Sequence, residues 1–248
     1  MRVYIGFDDT DTLESVVGTG KLARGFEDDM PAGAALWGVI RQQLLLRDDI
    51  PYTSHNSAAC LVIDLGGTGQ LTEVIRAAVD YLERQSCPGS DPGICVAWEK
   101  NGGLSSLVEF GRACTHRKMY QRDALKAAGR FHLTGHGGTN DGIIGAAAAV
   151  GLTHAGWSGR FIEFGRLRDY DGMVPAGALM SRGIQVVSID RDAKMPAPGE
   201  MVQTNGWVRP HLVSGRPVLL VRPAAEGLWE NIGAKRLRQE ISAGDSAG

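Results

Sequence analysis

The sequence predicts a protein of the α/β to α+β class, with a mixed β-sheet and a small β-rich C-terminal part. Three observations indicate this class. Runs of β-branched and aromatic residues recur at strand length, amphipathic stretches of helical length lie between them, and the two patterns follow the order β-α-β-β-α-β-α up to residue 129. This order allows mixed strand directions.

The N-terminal half begins with a strand that starts at Arg2 and runs directly into the acidic segment Asp8-Asp9-Thr10-Asp11. Apolar residues at helical spacing predict a helix over residues 22–30, which ends before Pro31 and for which Thr19 is a candidate cap. Strands are then predicted at residues 34–45, 57–65 and 94–99, and helices at residues 68–85 and 105–129.

The second half opens with a glycine-rich loop at residues 135–142, which leads into a helix of small residues at 143–151. A strand is predicted at 161–167. From about residue 169, prolines and glycines separate shorter strands, predicted at 184–189, 203–208 and 217–221, from a helix at about 228–241. We therefore expect a core over residues 1–168, a small β-rich unit over 169–241 and a mobile tail over 242–248.

Composition excludes several classes of protein. A formal net charge of −2 and an isoelectric point near 6.3 give no overall attraction to nucleic acid or to anionic membranes. The four cysteines show no C-x-x-C pairing, so no zinc ribbon is expected and reduced thiols fit a cytoplasmic protein. The longest apolar run, residues 142–151, is too short to span a bilayer.

The acidic segment is the strongest candidate for a functional site. Asp8, Asp9 and Asp11 follow a buried strand, and the carboxyl end of such a strand is where α/β sheets bind ligands. Carboxylates in this arrangement predict a Mg²⁺ site that also takes phosphate oxygens, so all three are candidate catalytic and metal-binding residues. The alternative is an acidic loop that only caps the following helix.

A second alternative is a metal-dependent phosphatase of the haloacid-dehalogenase type, in which an Asp-x-Asp follows a strand and the first carboxylate is the nucleophile. Asp9-Thr10-Asp11 has this spacing, which would make Asp9 the nucleophile. The match is partial, because Leu13 stands where a threonine is expected and Thr12 comes one place early.

The first glycine segment, Gly18-Thr19-Gly20-Lys21, predicts backbone N–H groups and a lysine that bind phosphate, with Gly18, Gly20 and Lys21 as cofactor-binding residues. It is not a Walker A motif, since Ser15 replaces the first glycine and Leu22 replaces the final serine or threonine.

The second glycine segment is a further candidate phosphate loop, because glycines let an anion approach the backbone closely. Its alternative is a simple strand-to-helix turn. His55 and Asn56 lie on a polar connection and are weaker candidates for substrate binding, although solvated surface groups are the alternative there. The cofactor-binding candidates of the second segment are Gly137, Gly138, Thr139, Asn140 and Gly142.

Two of these segments also resemble a known family. Ile5-Gly6-Phe7-Asp8-Asp9-Thr10-Asp11-Thr12 resembles the Ile-Gly-Ile-Asp-Asp-Thr-Asp-Ser start of the archaeal isoleucine-tRNA 2-agmatinylcytidine synthetases. Residues 142–151 are similar to that family's Gly-Leu-Ile-Gly-Ala-Leu-Ala-Ala-Ile-Gly segment, and residues 53–59 more weakly to its Thr-Arg-Gly-Asn-Ala-Ala. The likeness covers roughly residues 1–167.

The resemblance implies a kinase-like core with a ferredoxin-like subdomain, which uses ATP and Mg²⁺ to phosphorylate the carbonyl of a cytidine for attack by agmatine. It implies that Asp8, Asp9 and Asp11 carry metal and phosphate, and that Thr19 lies near an active-site threonine. The family has Cys-Thr-Thr where this chain has Val17-Gly18-Thr19-Gly20. The OB-fold and zinc-ribbon parts of the family are expected to be lacking.

Together these observations predict an ATP- and Mg²⁺-dependent phosphotransferase or ATP-driven ligase whose acceptor differs from that of the family. A small acceptor is favoured over tRNA, because the net charge is low. The alternatives are a non-catalytic nucleotide- or RNA-binding protein of the same fold and the phosphatase that uses Asp9.

Overall fold

The computed structural model of the protein describes residues 1–52, 55–99, 103–191 and 194–232. Its contacts divide the chain into two units, Met1–Phe164 and Gly165–Gly248. The tail predicted at 242–248, and the part of the last predicted helix beyond residue 232, lie outside the described residues. The predicted domain boundary after residue 168 stays a prediction. None of the helices in the described ranges is long and apolar enough to cross a membrane.

The first unit contains one antiparallel sheet with helices on both faces. Its strands lie in the order β5-β4-β1-β3-β2-β6, and each neighbouring pair is antiparallel. The strands are β1 (Arg2–Asp8), β2 (Ala34–Gln43), β3 (Ser57–Leu65), β4 (Gly93–Trp98), β5 (His132–Gly135) and β6 (Arg160–Glu163). The helices are α1 (Thr19–Gly25), α2 (Leu71–Gln85), α3 (Ser105–Cys114), α4 (Gln121–Ala128) and α5 (Gly142–Ala155).

Strand β1 lies inside this sheet, and its side chains alternate between two different faces. Val3, Ile5 and Phe7 are fully buried in a cluster with residues of α1 and α2. Tyr4, in contrast, packs edge-on against His154 of α5. Burying each side chain of the first set stabilises the fold by about 1.5–3 kcal/mol. The strand is therefore held from both sides up to its last residue, Asp8.

Helix α5 approaches β1 closely because small residues line the contact. A Cβ added to Gly6 would collide with the carbonyl of Ala146, so only glycine fits at this position of β1. Gly151 faces the backbone of α3 at Leu107 with the same restriction. The predicted small-residue helix thus runs from Gly142 to Ala155 with nearly all of its residues buried.

The predicted single helix over residues 105–129 is wrong, since α3 ends at Cys114 and α4 begins at Gln121. The Thr115 hydroxyl donates a hydrogen bond to the Arg112 carbonyl (2.8 Å). This local bond competes with continuation of the helix. The backbone N–H of Tyr120 then donates to the Asp123 carboxylate (3.2 Å) at the start of α4. As a result, the segment between the helices is free to line a cavity.

The second unit is β-rich and mixes parallel and antiparallel pairs. Its strands lie in the order β10-β11-β12-β9-β7, and β8 pairs in parallel with β11. The strands are β7 (Met173–Pro175), β8 (Gln185–Ser188), β9 (Met201–Gln203), β10 (His211–Val213), β11 (Arg216–Ala225) and β12 (Leu228–Asn231), with one helix, α6 (Ala176–Ser181), among the described residues. The predicted mixed α/β class with a β-rich C-terminal part is therefore confirmed.

Three element predictions of the second half need correction. The strand predicted at 161–167 ends at Glu163, because Gly165 and Arg166 have positive φ. The strand predicted at 203–208 occupies Met201–Gln203 instead, since Asn205 and Gly206 have positive φ and form a turn. Residues 228–231 are a strand and not a helix, because they pair in parallel with β9.

Candidate functional site

The acidic segment leaves the sheet as a constrained turn at the end of β1. Asp9 has a φ of 53°, in the left-handed region that non-glycine residues seldom occupy. Its carbonyl accepts a hydrogen bond from the N–H of Asp91 (3.1 Å), and the carbonyl of Thr10 accepts one from the N–H of Cys87 (2.9 Å). The loop before β4 therefore holds the acidic turn in place.

Thr19 connects this turn to helix α1. Its Oγ1 accepts hydrogen bonds from the Thr10 hydroxyl (3.0 Å) and the Thr10 N–H (3.4 Å), and it donates to Asp11 Oδ1 (3.2 Å). A hydroxyl has one donor and two acceptor positions, so Thr19 is fully engaged. The prediction that Thr19 caps α1 is wrong, because Gly18 is the cap and Thr19 is the first helical residue.

Asp8 packs against the first turns of α5. A Cβ added to Gly145 would overlap the carboxylate of Asp8, so this side chain lies in the space that the missing Cβ leaves. Asp8 follows Tyr4 and Gly6 on the face of β1 that contacts α5, whereas Asp11 is held on the side of α1. The acids at the end of the strand therefore have different surroundings.

Burial and like charge disfavour ionisation of the acids in this structure. Burial, with smaller effects of the Asp9 and Asp11 charges, raises the pKa of Asp8 to about 8. Burial also raises the pKa of Asp9 to about 6, and the carboxylates of Asp91, Asp11 and Asp141 add to the shift. A bound cation would relieve the repulsion between these carboxylates. The charges of the acidic turn therefore favour binding of a cation.

The N-terminus of α5 is held by the carboxylate of Asp91. This carboxylate accepts hydrogen bonds from the backbone N–H groups of Asn140 (2.7 Å) and Asp141 (3.1 Å), and from the Thr139 hydroxyl. Gly137 and Gly142 are both packed tightly against the Asp91 backbone, where a Cβ would not fit. The backbone amide of Asn140, which was predicted to bind phosphate, is thus bound to a protein carboxylate, as is that of its neighbour Asp141.

A cavity of about 690 Å³ opens at the acidic turn, a volume in the range of small-molecule sites. Its wall combines the end of β1, the start of α1, the start of β3, the segment between α3 and α4, and the first turn of α5. One part of the wall is acidic, and the segment between the helices makes the other part basic. The charged lining residues are Asp8, Asp9, Asp11, Asp141, Arg117, Lys118 and Arg122.

The structure brings some of the predicted site residues to this cavity and leaves others outside it. Asp8, Asp9, Asp11, Thr19, His55 and Asn56 line it, and the helix after the second glycine segment contributes Asp141, Ile144 and Gly145. Lys21 is an exposed residue of α1, and Gly20 lies against Ile162. The residues that do not line the cavity are Gly18, Gly20, Lys21, Gly137, Gly138, Thr139, Asn140 and Gly142. Their predicted roles, like those of the lining residues, stay predictions.

Asn56 contributes to the structure of the cavity wall. Its side-chain amide donates to the carbonyl of Leu45 (2.6 Å), and its own carbonyl accepts from the N–H of Leu44 (2.9 Å). These hydrogen bonds connect the start of β3 to the end of β2. They use the side-chain amide and the backbone carbonyl of Asn56, a residue that was predicted to bind substrate.

The donor set fits a hard cation such as Mg²⁺, because three carboxylates line the cavity at the end of β1. Among the described residues, however, no three His, Cys, Asp or Glu side chains converge closely enough to hold a metal by themselves. Mg²⁺ in nucleotide sites is ordinarily held by one or two carboxylates, with water and phosphate oxygens as its other ligands. Two of the three carboxylates at the end of β1 would be enough for this mode.

Sequence reasoning missed two parts of the site. Asp91 was not singled out, although it lies two residues before Gly93, which pairs with Asp8 in the antiparallel register of β4 and β1. Arg117 and Lys118 lie inside the single helix predicted over residues 105–129, and the break after Cys114 brings them to the cavity. No local signal in the sequence marks Asp91, whereas the Tyr-x-x-Asp start of α4 was the signal for the break.

Comparison with known proteins supports the fold. No protein-family model matches the sequence, and no curated protein sequence matches it. Among solved structures, the chain has the fold of tRNA-modifying enzymes of the TiaS type. It is similar to a tRNA fluorescent labeling enzyme, with a TM-score of 0.51 and 24% identity over 61% of this chain and 36% of that one.

Two further similarities are to structures of TiaS, a tRNAIle2 agmatidine synthetase. The apo form matches with a TM-score of 0.50 and 22% identity over 61% of this chain and 35% of that one. The complex of TiaS with its tRNA, AMPCPP and agmatine matches with a TM-score of 0.50 and 23% identity, over 61% and 36%. The chain thus spans about a third of the length of these proteins. The resemblance predicted from the motifs is confirmed as a likeness of fold.

Proposed function

We propose that this protein is an ATP- and Mg²⁺-dependent enzyme that activates an acceptor by phosphorylation, either as a phosphotransferase or as an ATP-driven ligase. The observation that carries the proposal is the cavity that Asp8, Asp9 and Asp11, at the end of a central strand, line together with Arg117 and Lys118. Phosphoryl transfer depends on positioning and charge neutralisation, and these groups provide both.

The carboxylates would hold Mg²⁺ at the end of β1. When bound, the ion supplies charge neutralisation at the phosphates. Asp8 and Asp9 are the proposed metal ligands, since burial and crowding raise the pKa of each and make a cation favourable there. Thr19 is the proposed positioning residue for Asp11, because its hydroxyl donates to that carboxylate (3.2 Å). The constrained backbone at Asp9 keeps these groups in a fixed arrangement.

The basic wall would bind the negative charge of the nucleotide. Arg117 is exposed and forms no ion pair among the described residues, so its guanidinium is available for phosphate. Lys118 is partly engaged, since its Nζ donates to the Asp49 carbonyl (2.6 Å) and lies 3.5 Å from the Asp49 carboxylate. Arg117 is therefore the stronger candidate of the two.

A ring system at the cavity suits a nucleobase. Tyr120 is 52% exposed and carries the guanidinium of Arg122 over its ring at 5.3 Å. Such a pair offers a stacking surface for a flat aromatic ligand. Either the base of ATP or the base of an acceptor fits this description, and the AMPCPP complex of the similar structure is consistent with the first. Agmatine and RNA are the first co-substrates to test, RNA as the acceptor and agmatine as the attacking amine.

The test is phosphate release from ATP with and without Mg²⁺, in the presence and absence of agmatine and of a short RNA. We expect Mg²⁺-dependent release that falls at least about a hundredfold in Asp9→Asn, because a lost metal ligand removes several kcal/mol of transition-state stabilisation. Gly66→Ala is the control, since a Cβ at Gly66 meets nothing within 4 Å.

Three results would contradict the proposal. Release that is unchanged in Asp9→Asn would show that the acidic turn is not the site of chemistry. Release from a phosphomonoester such as p-nitrophenyl phosphate, with no use of ATP, would instead indicate the phosphatase in which Asp9 is the nucleophile. If the protein binds ATP tightly but releases no phosphate with either agmatine or RNA, a non-catalytic nucleotide-binding protein is favoured.

A further inference from the structure

Two arginines lie directly opposite each other in the sheet of the first unit. Arg41 of β2 is the register partner of Arg160 of β6, so both side chains point to the same face. Ile162, two residues further along β6, belongs to the core cluster beneath α1 and α2, which identifies this face. Like charges at directly paired positions destabilise a sheet, so the arrangement calls for a compensating group.

The protein itself supplies little compensation. Arg41 donates from Nε to the neutral hydroxyl of Ser57 (2.9 Å). Arg160 has a buried Nη1 with no hydrogen-bond partner, and neither guanidinium forms an ion pair with any carboxylate in the part of the chain that the structure describes. Burial alone lowers the pKa of both groups. Two partly buried positive charges without a counter-ion are unfavourable, and an anion would satisfy them.

Ser57 connects this pair to the cavity. It is a lining residue of the cavity wall, and its hydroxyl accepts from Arg41, which leaves the O–H free to donate to a bound group. The planar guanidinium offers several N–H donors in a fork that matches the oxygens of phosphate. Ser57 thus offers a donor at the wall of a cavity whose expected ligand is a phosphate ester. Arg41, which is bonded to Ser57, and its register partner Arg160 add positive charge on the same face of the sheet.

We propose that Arg41, Arg160 and Ser57 form a binding site for a phosphate-type oxyanion next to the carboxylate cavity. The site goes beyond the proposed function, since it needs neither Mg²⁺ nor turnover. Its phosphate belongs either to the triphosphate of the nucleotide or to a phosphorylated acceptor.

The first experiment uses inorganic phosphate as the probe, at constant ionic strength with chloride as the reference. Binding is measured by calorimetry and by the shift of the unfolding temperature, in the parent protein and in Arg41→Gln and Arg160→Gln. Arg76→Gln, on an exposed position of α2, is the matched control. We expect phosphate to raise the unfolding temperature of the parent and control proteins, and each site variant to bind phosphate at least tenfold more weakly.

A second readout separates this role from a purely structural one. Without phosphate, Arg160→Gln should unfold at the same or a higher temperature than the parent protein, because it removes the repulsion between paired charges. If Arg160→Gln does not fold, Arg160→Lys and Ser57→Ala take its place, with at least threefold weaker binding expected in each. Phosphate binding that is unchanged in the folded variants would overturn the proposal.

The source of the phosphate follows from a third comparison. If the nucleotide supplies it, Arg160→Gln weakens ATP binding and leaves adenosine binding unchanged. If the acceptor supplies it, the variant weakens binding of a short single-stranded RNA and leaves ATP unchanged. Either outcome supports the site, and no effect on any of these ligands contradicts it. If the protein does not use ATP but still binds phosphate in a way that depends on Arg160, the proposed function is wrong and the phosphate site stands.

Discussion

The carboxylate of Asp8 occupies the space that a side chain on Gly145 would need. This relationship joins the end of β1 to the first turns of α5, so the two segments that motif analysis singled out meet at one point of the cavity wall. Because Gly6 lets α5 approach the same strand, the contact depends on two glycines that are far apart in the sequence.

Replacing Gly145 with alanine tests whether this contact positions the acidic site. The added methyl group must displace Asp8 or move α5, and we expect overpacking to destabilise the fold by about 1–3 kcal/mol. We also expect ATP affinity in the presence of Mg²⁺ to fall more than about tenfold, a loss of about 1.4 kcal/mol or more. Calorimetry well below the unfolding temperature measures this. Unchanged affinity in Gly145→Ala, with Gly66→Ala as control, would show that the position of Asp8 is not needed.

Replacing Asp9 with asparagine should stabilise the protein in the absence of divalent cations. Asparagine tolerates the positive φ of this position and removes one of the crowded charges. The pKa of Asp9 in the fold, about 6, is above its ordinary value of 3.8, so the unfavourable ionised form is fully populated only above pH 6.

We expect Asp9→Asn to gain about 1 kcal/mol of unfolding free energy at pH 8 after allowance for solvent screening, and little at pH 4. Urea denaturation in EDTA at both pH values gives the comparison. Asp80→Asn, at an exposed position of α2, is the control and should change little at either pH. A lower stability of Asp9→Asn at pH 8 would mean that the charge is favourable in the fold.

Removing the hydroxyl of Thr19 tests its role as the link between the acidic turn and α1. Thr19→Val leaves the buried hydroxyl of Thr10 without its partner and takes a donor from Asp11. We expect a loss of about 1–3 kcal/mol of unfolding free energy, because an unsatisfied buried polar group costs that much. Thr19→Ser keeps the hydroxyl and should lose less than half as much. Equal stability of the two variants in urea would contradict the hydrogen-bonded link.

His154 should make the stability of the fold depend on pH. Its Nδ1 is buried without a hydrogen-bond partner, and burial lowers its pKa although the Glu99 carboxylate opposes the shift from 3.8 Å. A lowered histidine pKa means that stability is full above pH 6.5 and is lost as pH falls, since the unfolded chain binds the proton more readily.

We therefore expect the unfolding free energy to fall less steeply between pH 7 and pH 5 in His154→Gln than in the parent protein. His116→Gln is the control, because His116 is exposed. If the parent protein and His154→Gln show parallel pH profiles, His154 is not the group responsible.

The elements with strong local patterns were predictable, and those that depend on long-range pairing were not. Strand β1 and helix α5 were recognised because burial imposes a dense apolar pattern on both. Tyr120 and Leu125 lie inside the single helix predicted over residues 105–129, yet these apolar side chains are 52% and 55% exposed. Apolar residues recur at helical spacing on both sides of the break between α3 and α4, so their spacing alone did not reveal the break.

Asp91 shows the same limit for the site. Nothing in its own surroundings marks it, and its contact with the acidic turn and with the start of α5 arises only when β4 pairs with β1. The strand predicted as a helix at Leu228–Asn231 has a similar cause, since pairing with β9 decides its conformation. Local propensity is weak when tertiary contacts favour another state.

The most direct test of the central claim is isothermal titration of the protein with ATP, with and without Mg²⁺, in the parent protein, Asp9→Asn and Gly66→Ala. We expect Mg²⁺-dependent binding of ATP in the parent and Gly66→Ala proteins. In Asp9→Asn we expect ATP affinity to fall at least about tenfold, equal to about 1.4 kcal/mol. Binding of ATP that is the same in all three proteins, or no binding in any of them, would contradict it.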